Sequence, residues 1–438
     1  MPDLEIDVDG LVDLLEQRGS SRFSNIQVVV DTYFYMFPQI SFHKQYIIYK
    51  IRESLFAAFI GLITGLAAAF LDYLIVEIHN FSFEHRLYFF QLLILAVYQT
   101  WVIWVEKNAS LPGLLLALRF LKENLVVPLF LWVAKFLGVA LTLSVLPAGR
   151  EGPAMLLGTG LGQYIAEIFR LPKGQLNYWG TIGAAAFVGA FLKTPLGATF
   201  YVLENRFGKV LNVDFVINAL SSSTISYTVY VYFRGYHPVI PVHGAFHWNL
   251  LDIAPAFVIG VWAAALAIVL TLVFDIAKKF ASLSPPEYRP LAILPVILLL
   301  FAIALNYEHF PLLNLSVDYQ PLEIVAGHVI PFEAAVKAIV LEMLFLTVLL
   351  NFGYPGGVVL PLIFIGAALG NIVAASFPDK LSIFVLTGAS AMLSAALKIP
   401  ITALVMISEM SHRTLVIPEV VGVLTAYFLS SSVKFLRR

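Results

Sequence analysis

Long charge-poor runs alternate with short polar joints along this chain. Leu55–Leu71, Leu125–Leu146, Ile253–Phe274, Leu291–Leu305 and Ile339–Leu350 hold almost no charged residue between them. A helix that crosses the hydrocarbon core of a bilayer needs roughly 20 apolar residues. Some of these runs reach that length and others fall well short. The pattern therefore predicts an all-α polytopic membrane protein whose helices are tilted or broken, not a bundle of equal rods.

Composition strengthens this reading. Hydrophobic residues make up 60% of the 438 and charged residues 13%, with a mean hydropathy of +0.86. Soluble domains are about half apolar and about a quarter charged. The formal net charge of −1 offers no basic footprint for nucleic acid, and the lack of cysteine excludes disulfides and Cys-ligated metals. No cleavable signal is expected, because Asp3, Glu5, Asp7 and Asp9 open a mixed segment ahead of the first apolar run. Lys44, Lys50 and Arg52 flank that run, and Lys434, Arg437 and Arg438 follow the last one. By the positive-inside tendency both termini are expected in the cytoplasm, with the inner membrane of a prokaryote as the expected host. No soluble domain is expected after the last span, which ends near Arg438.

An internal repeat organises the pattern. Gly149 and Pro153 bracket Arg150-Glu151-Gly152 and are followed by Gly158 and Gly162; Gly357 and Pro361 bracket Val358-Val359-Leu360 and are followed by Gly366 and Gly370. Further on, Gly183-Ala184, Ala186, Ala190, Lys193, Pro195, Ala198 and Glu204 recur as Gly388-Ala389, Ala391, Ala395, Lys398, Pro400, Ala403 and Glu409. Small residues are common where membrane helices pack closely, but packing preference does not align lysine, proline and glutamate as well. Duplication explains all of them, and in transporters it places the substrate site where the halves meet. The expected organisation is an N-terminal cytoplasmic or interfacial segment (1–47), repeat 1 (48–235), a connecting loop (236–250) and repeat 2 (251–438).

Three segments combine glycine or proline with the start of an apolar run: Asn108–Gly113, Gly149–Pro153 and Gly356–Pro361. A helix start offers unpaired N–H donors and a partial positive charge, so it holds an anion without a full cation. Starts that converge at a dry midplane would bind an anion weakly enough to release it. Glu151 beside such a start is a tethered anion able to occupy the site it borders. The competing reading is an ordinary helix-terminal acid, but acids within the membrane are rare and usually functional. His243, His247 and Trp248 read as a polar interfacial loop, and Asp31–Phe42 as an aromatic-rich interfacial or cytoplasmic helix. Glu342 reads as a buried pairing, dimer-side packing or ion handling, and Glu167 with Arg170 as an interfacial solvated pair at a helix end. Neither a metal-spaced acid and histidine cluster nor a nucleophile–base pair stands out, so no enzyme, metal or cofactor is expected.

These residues resemble the CLC family of chloride channels and chloride/proton antiporters. GREGP (149–153) is similar to its most diagnostic motif, with Lys135 upstream in WVAKFLG. GAAAFVGAFLKTPLGATFYVLEN (183–205), GYPGGVVLP (353–361) and ALKIPITALVMISEM (396–410) extend the likeness, which runs from Ile51 to Val433. The resemblance implies a homodimer with one anion pathway per subunit, and two inverted-topology halves with about 18 helices in all. It assigns Glu151 as gating and proton-carrying acid, and Ala109, Ser110, Arg150, Gly152, Val358, Val359 and Thr414 to the anion pathway.

Several positions depart from the family. Ala109 stands where a serine usually meets the anion, and Ser110, next along, can substitute only if the loop shifts. Val359 replaces an aromatic residue, and the inner-gate tyrosine is expected near Thr414. Asn205 replaces the inner proton glutamate, while Glu204 beside it matches a family acid whose role is either structural or a help to water-mediated proton entry. The expectation is exchange of a small monovalent anion, chloride by default, for protons. The alternative is a passive channel or uncoupled carrier for chloride, fluoride or nitrate.

Overall fold

The computed structural model of the chain describes residues 41–206, 213–243, 246–307, 311–431 and 435. The chain divides into two compact units, 1–55 and 56–438. The expected interfacial helix at Asp31–Phe42 lies, up to Ile40, outside the described residues.

The first half runs through α1 (Ser41–Glu84), α2 (Tyr88–Val105), α3 (Gly113–Lys122), α4 (Leu129–Leu143), α5 (Glu151–Ile168), α6 (Leu176–Phe191), α7 (Pro195–Arg206) and α8 (Val213–Arg234). The second runs through α9 (Ile253–Ala281), a single turn α10 (Arg289–Ala292), α11 (Leu294–Leu305), α12 (Gln320–Gly327), α13 (Phe332–Asn351), α14 (Val359–Ala374), α15 (Leu381–Leu397), α16 (Pro400–Ser411) and α17 (Ile417–Leu429). Five helical segments are long and apolar enough to cross a membrane: Ile48–Glu84, Tyr88–Val105, Leu250–Ala281, Pro286–Leu305 and Pro378–Leu397. Others are too short. The 16 residues of α14 rise about 24 Å, against a hydrocarbon core of about 30 Å. This is an integral membrane protein of long and interrupted helices, as the uneven apolar runs predict.

The repeat seen in sequence is a repeat of helix crossings. Gly158 of α5 lies against the backbone of Gly183 and Ala184 in α6, and Gly366 of α14 lies in the same way against Gly388 in α15. One turn on, Gly162 meets Trp179 and Gly180, and Gly370 meets Phe384 and Val385. A Cβ at any of these four glycines would strike main chain, so the crossings need glycine. Two lysines follow the same correspondence. Lys193 and Lys398 end α6 and α15 in left-handed conformation, with φ of 55° and 62°. The Lys193 ammonium donates to the carbonyls of Gly235 and His237 (both 3.0 Å) just past α8, and that of Lys398 to Ser430 just past α17. Cations at helix C-termini complement the dipole there.

Helices α7 and α16 cap each other. Glu204, near the end of α7, accepts from the backbone N–H groups of Ile401 (3.2 Å) and Thr402 (2.7 Å) at the start of α16. Glu409, near the end of α16, accepts from Leu196 (3.1 Å) and Gly197 (2.7 Å) at the start of α7, and from the Thr194 hydroxyl (2.6 Å). The pair is antiparallel, and its symmetry is that of two inverted halves.

The joint between halves is braced on α15. Asn249 and Asp252 form a capping box ahead of α9. Lys380 pairs with Asp252 (3.2 Å) and donates to the carbonyl of His247, while Ser382 donates to that of His243 (2.6 Å). Both histidines thus act here through their main chain.

Glu204→Ala and Glu409→Ala are each expected to cost about 1–2 kcal/mol, since each leaves helix-start donors unpaired. The double variant should lose roughly the sum, because the caps lie at opposite ends of the pair. Thermal unfolding in detergent tests this, and unchanged melting of both single variants would rule out the capping role.

Candidate functional site

The site forms where the loop before α5 meets the loop before α14. Gly149 and Gly357 exchange two backbone hydrogen bonds, Gly149 N–H to Gly357 O (3.1 Å) and Gly357 N–H to Gly149 O (2.7 Å). Side chains would forbid this approach: a Cβ on Gly149 would lie 2.5 Å from the Gly357 carbonyl carbon. The start of α5 packs on the same loop, with Gly152 against Gly356 and Gly357, and the start of α3 packs on α5, with Gly113 against Gly152. Three helix starts, α3, α5 and α14, therefore converge as the motif spacing predicts.

Glu151, the first residue of α5, is fully buried in that convergence. Its carboxylate fills the space that a Gly357 side chain would take. Oε1 accepts from the N–H of Val358, the residue that caps α14. Oε2 has no hydrogen-bond partner. No cation touches the group among the described residues. The carboxylate rests on a main-chain donor at a helix start.

The neighbouring Arg150 is buried as well but serves a different purpose. Its guanidinium pairs with Asp72 (2.7 Å), donates to the carbonyls of Ser316 (2.9 Å) and Val317 (3.1 Å), and reaches the Tyr230 hydroxyl (3.4 Å). It also lies 4.9 and 4.7 Å from the rings of Phe191 and Tyr319. Ser316 binds Ala148 through its hydroxyl, taking the N–H at 2.9 Å and donating to the carbonyl at 2.6 Å. The expected anion-binding role of the Arg150 side chain is thus corrected, because protein partners occupy its fork. It anchors the loop that carries Gly149 and Glu151.

Other expected site residues divide between the pathway and the frame. Ala109 is fully buried, and its carbonyl accepts from the buried Lys135 ammonium. Ser110 does not replace the missing serine: its hydroxyl donates to the Lys107 carbonyl (2.9 Å) within its own turn. Val358 contributes its backbone N–H at the seat, and Val359 is the first residue of α14 behind it. Glu204 accepts at both oxygens from the start of α16, a structural duty. Asn205 is half-buried, one turn beyond Tyr201, and donates to the Tyr201 carbonyl (2.9 Å).

Thr414 is misplaced by the sequence reading. It is exposed on the connector between α16 and α17, at the Glu409 end of α16, whereas Asn205 lies at the far end of the antiparallel α7. A helix of 12 residues spans about 18 Å, so the two positions do not share an inner gate. Motif counting had no signal for this, because only the reciprocal caps reveal which ends of α7 and α16 meet. It also passes over Tyr201, whose hydroxyl is fully buried inside the quoted 183–205 motif. Its spacing of four residues from Asn205 was the available signal. Glu167 and Arg170 are exposed at the end of α5. Glu342 is fully buried in α13, with no hydrogen-bond partner on either oxygen.

Comparison with known proteins places this architecture. The sequence profile described as "Voltage gated chloride channel" matches residues 91–431. The H(+)/Cl(-) exchange transporter ClcA of Yersinia pestis is 26% identical over 314 residues, covering 68% of this chain and 64% of its own length. That of Salmonella arizonae is 26% identical over 323 residues, covering 68% and 65%. The chain thus spans somewhat under two thirds of these curated relatives. Among solved structures, a slow cyanobacterial Cl−/H+ antiporter superimposes with a TM-score of 0.73 at 17% identity, over 87% of this chain and 94% of its own. A CLC-type fluoride/proton antiporter does so with 0.71 at 21% identity, over 88% and 96%. The structural likeness establishes the fold, and the profile, spanning most of the residues that build the two halves, shows that this chain belongs to the voltage-gated chloride channel (CLC) family.

Proposed function

We propose that the protein exchanges a small monovalent anion, chloride first, for protons, with Glu151 as both gate and proton carrier. One observation carries this: the Glu151 carboxylate sits on the N–H of Val358 at the start of α14, in a seat lined by glycine. A carboxylate held there competes with any anion for the same donors. Protonation removes its charge and with it the attraction to the helix start, so the side chain leaves, carrying a proton, and the anion enters. The relatives' exchange of H+ and Cl− supports the same reading. The fluoride/proton exchange of a structural neighbour makes fluoride the second anion to test. The seat is built from one chain, which fits one pathway in each subunit of a homodimer. Lys50 and Arg52 early in α1 favour a cytoplasmic start, and with Arg437 and Arg438 they support both termini in the cytoplasm of a prokaryotic cell.

Asn205 favours a second reading, a passive anion pathway, because an amide cannot titrate. In the exchange reading the proton reaches Glu151 through water from the Asn205 end of α7, and Asn205 hydrates that route.

Anion flux through the wild type in liposomes is expected to rise as pH falls. Glu151→Gln should carry anion at a rate independent of pH and move no protons. A pH-dependent flux in Glu151→Gln would dismiss the gate.

A chloride gradient, with valinomycin and potassium holding the potential, should drive protons uphill through the wild type. Asn205→Glu should leave the exchange ratio nearly unchanged, and Asn205→Leu should reduce it. If the wild type moves no protons against their gradient, the passive reading takes its place.

A further inference from the structure

Arg150 holds the loop that carries Glu151, and part of what holds Arg150 comes from two helices outside the seat. Helices α1 and α8 lie side by side in register. Gly61 meets the backbone of Ser222, Gly65 meets that of Ser226 and the Val229 side chain, and Thr64 reaches the Ser226 hydroxyl at 3.3 Å. A Cβ on Gly61 would lie 2.3 Å from the Ser222 carbonyl oxygen, and one on Gly65 would lie 2.6 Å from that of Ser226. Small residues four apart let membrane helices approach this closely, and here they fix the spacing and register of the pair. Two turns on, the same register brings Asp72 of α1 to Arg234, the last residue of α8.

Asp72 is buried and serves two guanidinium groups. Arg234, a quarter exposed, donates to its Oδ2, while Oδ1 lies 2.7 Å from Nη1 of Arg150 without an aligned hydrogen bond. The carboxylate is therefore oriented by Arg234 and presented to Arg150. Helix α8 adds the Tyr230 hydroxyl, one turn before Arg234, at 3.4 Å from the same Nη1. One side of the Arg150 fork thus faces the α1–α8 pair, and the other side, Nε and Nη2, faces the Ser316 and Val317 carbonyls. Lys193 fixes the chain just past Arg234 through the carbonyls of Gly235 and His237.

We propose that Asp72, oriented by Arg234, is a positioning residue of the gate. Acting through Arg150, it sets how firmly the Glu151 carboxylate is held against the Val358 N–H, and so how readily an anion displaces it. The carboxylate belongs to the start of α5, whereas the donor it occupies belongs to α14. Loosening Arg150 weakens the tethered competitor and leaves the donor in place for a free anion. Helices α1 and α8 thereby take part in transport, although the seat itself is built from α3, α5 and α14.

This inference rests on Glu151 as gate, and the test separates the two. Chloride uptake into liposomes at fixed pH gives an apparent KM and a maximal rate. Asp72→Asn combined with Arg234→Gln removes the ion pair without changing the net charge. It should lower KM about three-fold or more, the size of one weakened hydrogen bond, with a smaller change in maximal rate. Gly65→Ala reaches the same contact without touching a charge, by parting α1 from α8, and should also lower KM. In a Glu151→Gln background there is no carboxylate to loosen, so both sets of substitutions should leave KM unchanged. An unchanged KM in the gated protein, with either variant, overturns the positioning role, since a merely structural pair would alter the melting temperature alone. An equal fall in both backgrounds overturns it too, because the pair would then act on the anion and not on the gate. If Glu151→Gln does not itself lower KM, the reading of Glu151 as the anion's competitor fails instead.

Discussion

The site depends on two backbone hydrogen bonds between Gly149 and Gly357. They tie the loop before α5 to the loop before α14, and so join the two halves at the point where their helices begin. Everything else at the centre follows from that closeness. A Cβ on either glycine would part the loops or fill the space taken by the Glu151 carboxylate. Without the bridge, the α14 start would not present the Val358 N–H to an acid on α5. A site for a negative charge has thus been made from main chain, with no cation in contact. Backbone donors do not follow the ion, and the attraction they give is modest. That suits a group which must bind and let go repeatedly.

Two kinds of brace hold this bridge. On one side, Arg150 and Ser316 tie the Gly149 loop to Asp72 and to the segment before α12. A buried guanidinium is costly unless fully engaged, and here its fork is occupied by a carboxylate, two carbonyls and a phenol. On the other side, the glycine crossings of α5 with α6 and of α14 with α15 fix the direction of both helices behind their starts. The reciprocal caps of Glu204 and Glu409 then set α7 beside α16. Inverted duplication gives each brace a counterpart in the other half. Glu151 has none, since Val359 holds the corresponding position.

Much of the fold was legible because the duplication preserved residues with strict geometric duties. Glycines at crossings, lysines at left-handed helix ends and glutamates at helix starts recur at matched spacing, and each recurs for a reason visible in the structure. Glu151 was legible as well, as an acid beside a helix start in an apolar run. The errors share one cause. Arg150 and Thr414 were assigned by nearness to a motif along the chain, whereas their roles depend on which helix end meets which. Arg150 turns away from the seat, and Thr414 lies beyond the wrong end of α16. Ser110 failed for a local reason, because a hydroxyl in a tight turn readily bonds to its own backbone.

The balance of satisfied and unsatisfied polar atoms separates the frame from the moving parts. Arg150, Lys135, Lys193, Lys398, Glu204 and Glu409 all direct their polar atoms to partners on other segments. Removing any of them would strand buried donors or acceptors, so they are fixed points. Glu151 accepts at one oxygen and is vacant at the other, and the Tyr201 hydroxyl is vacant too. Under the proposed gating, a fully bonded carboxylate would be held too firmly to yield to an anion, while an unbonded one would not return. A single charge-assisted hydrogen bond to main chain lies between these limits, at about 1.5–3 kcal/mol. That energy is within reach of protonation or of competition by an incoming ion. The same reasoning marks Glu342 as an exception within the frame, since it is buried and unpaired yet touches neither the seat nor a cation among the described residues.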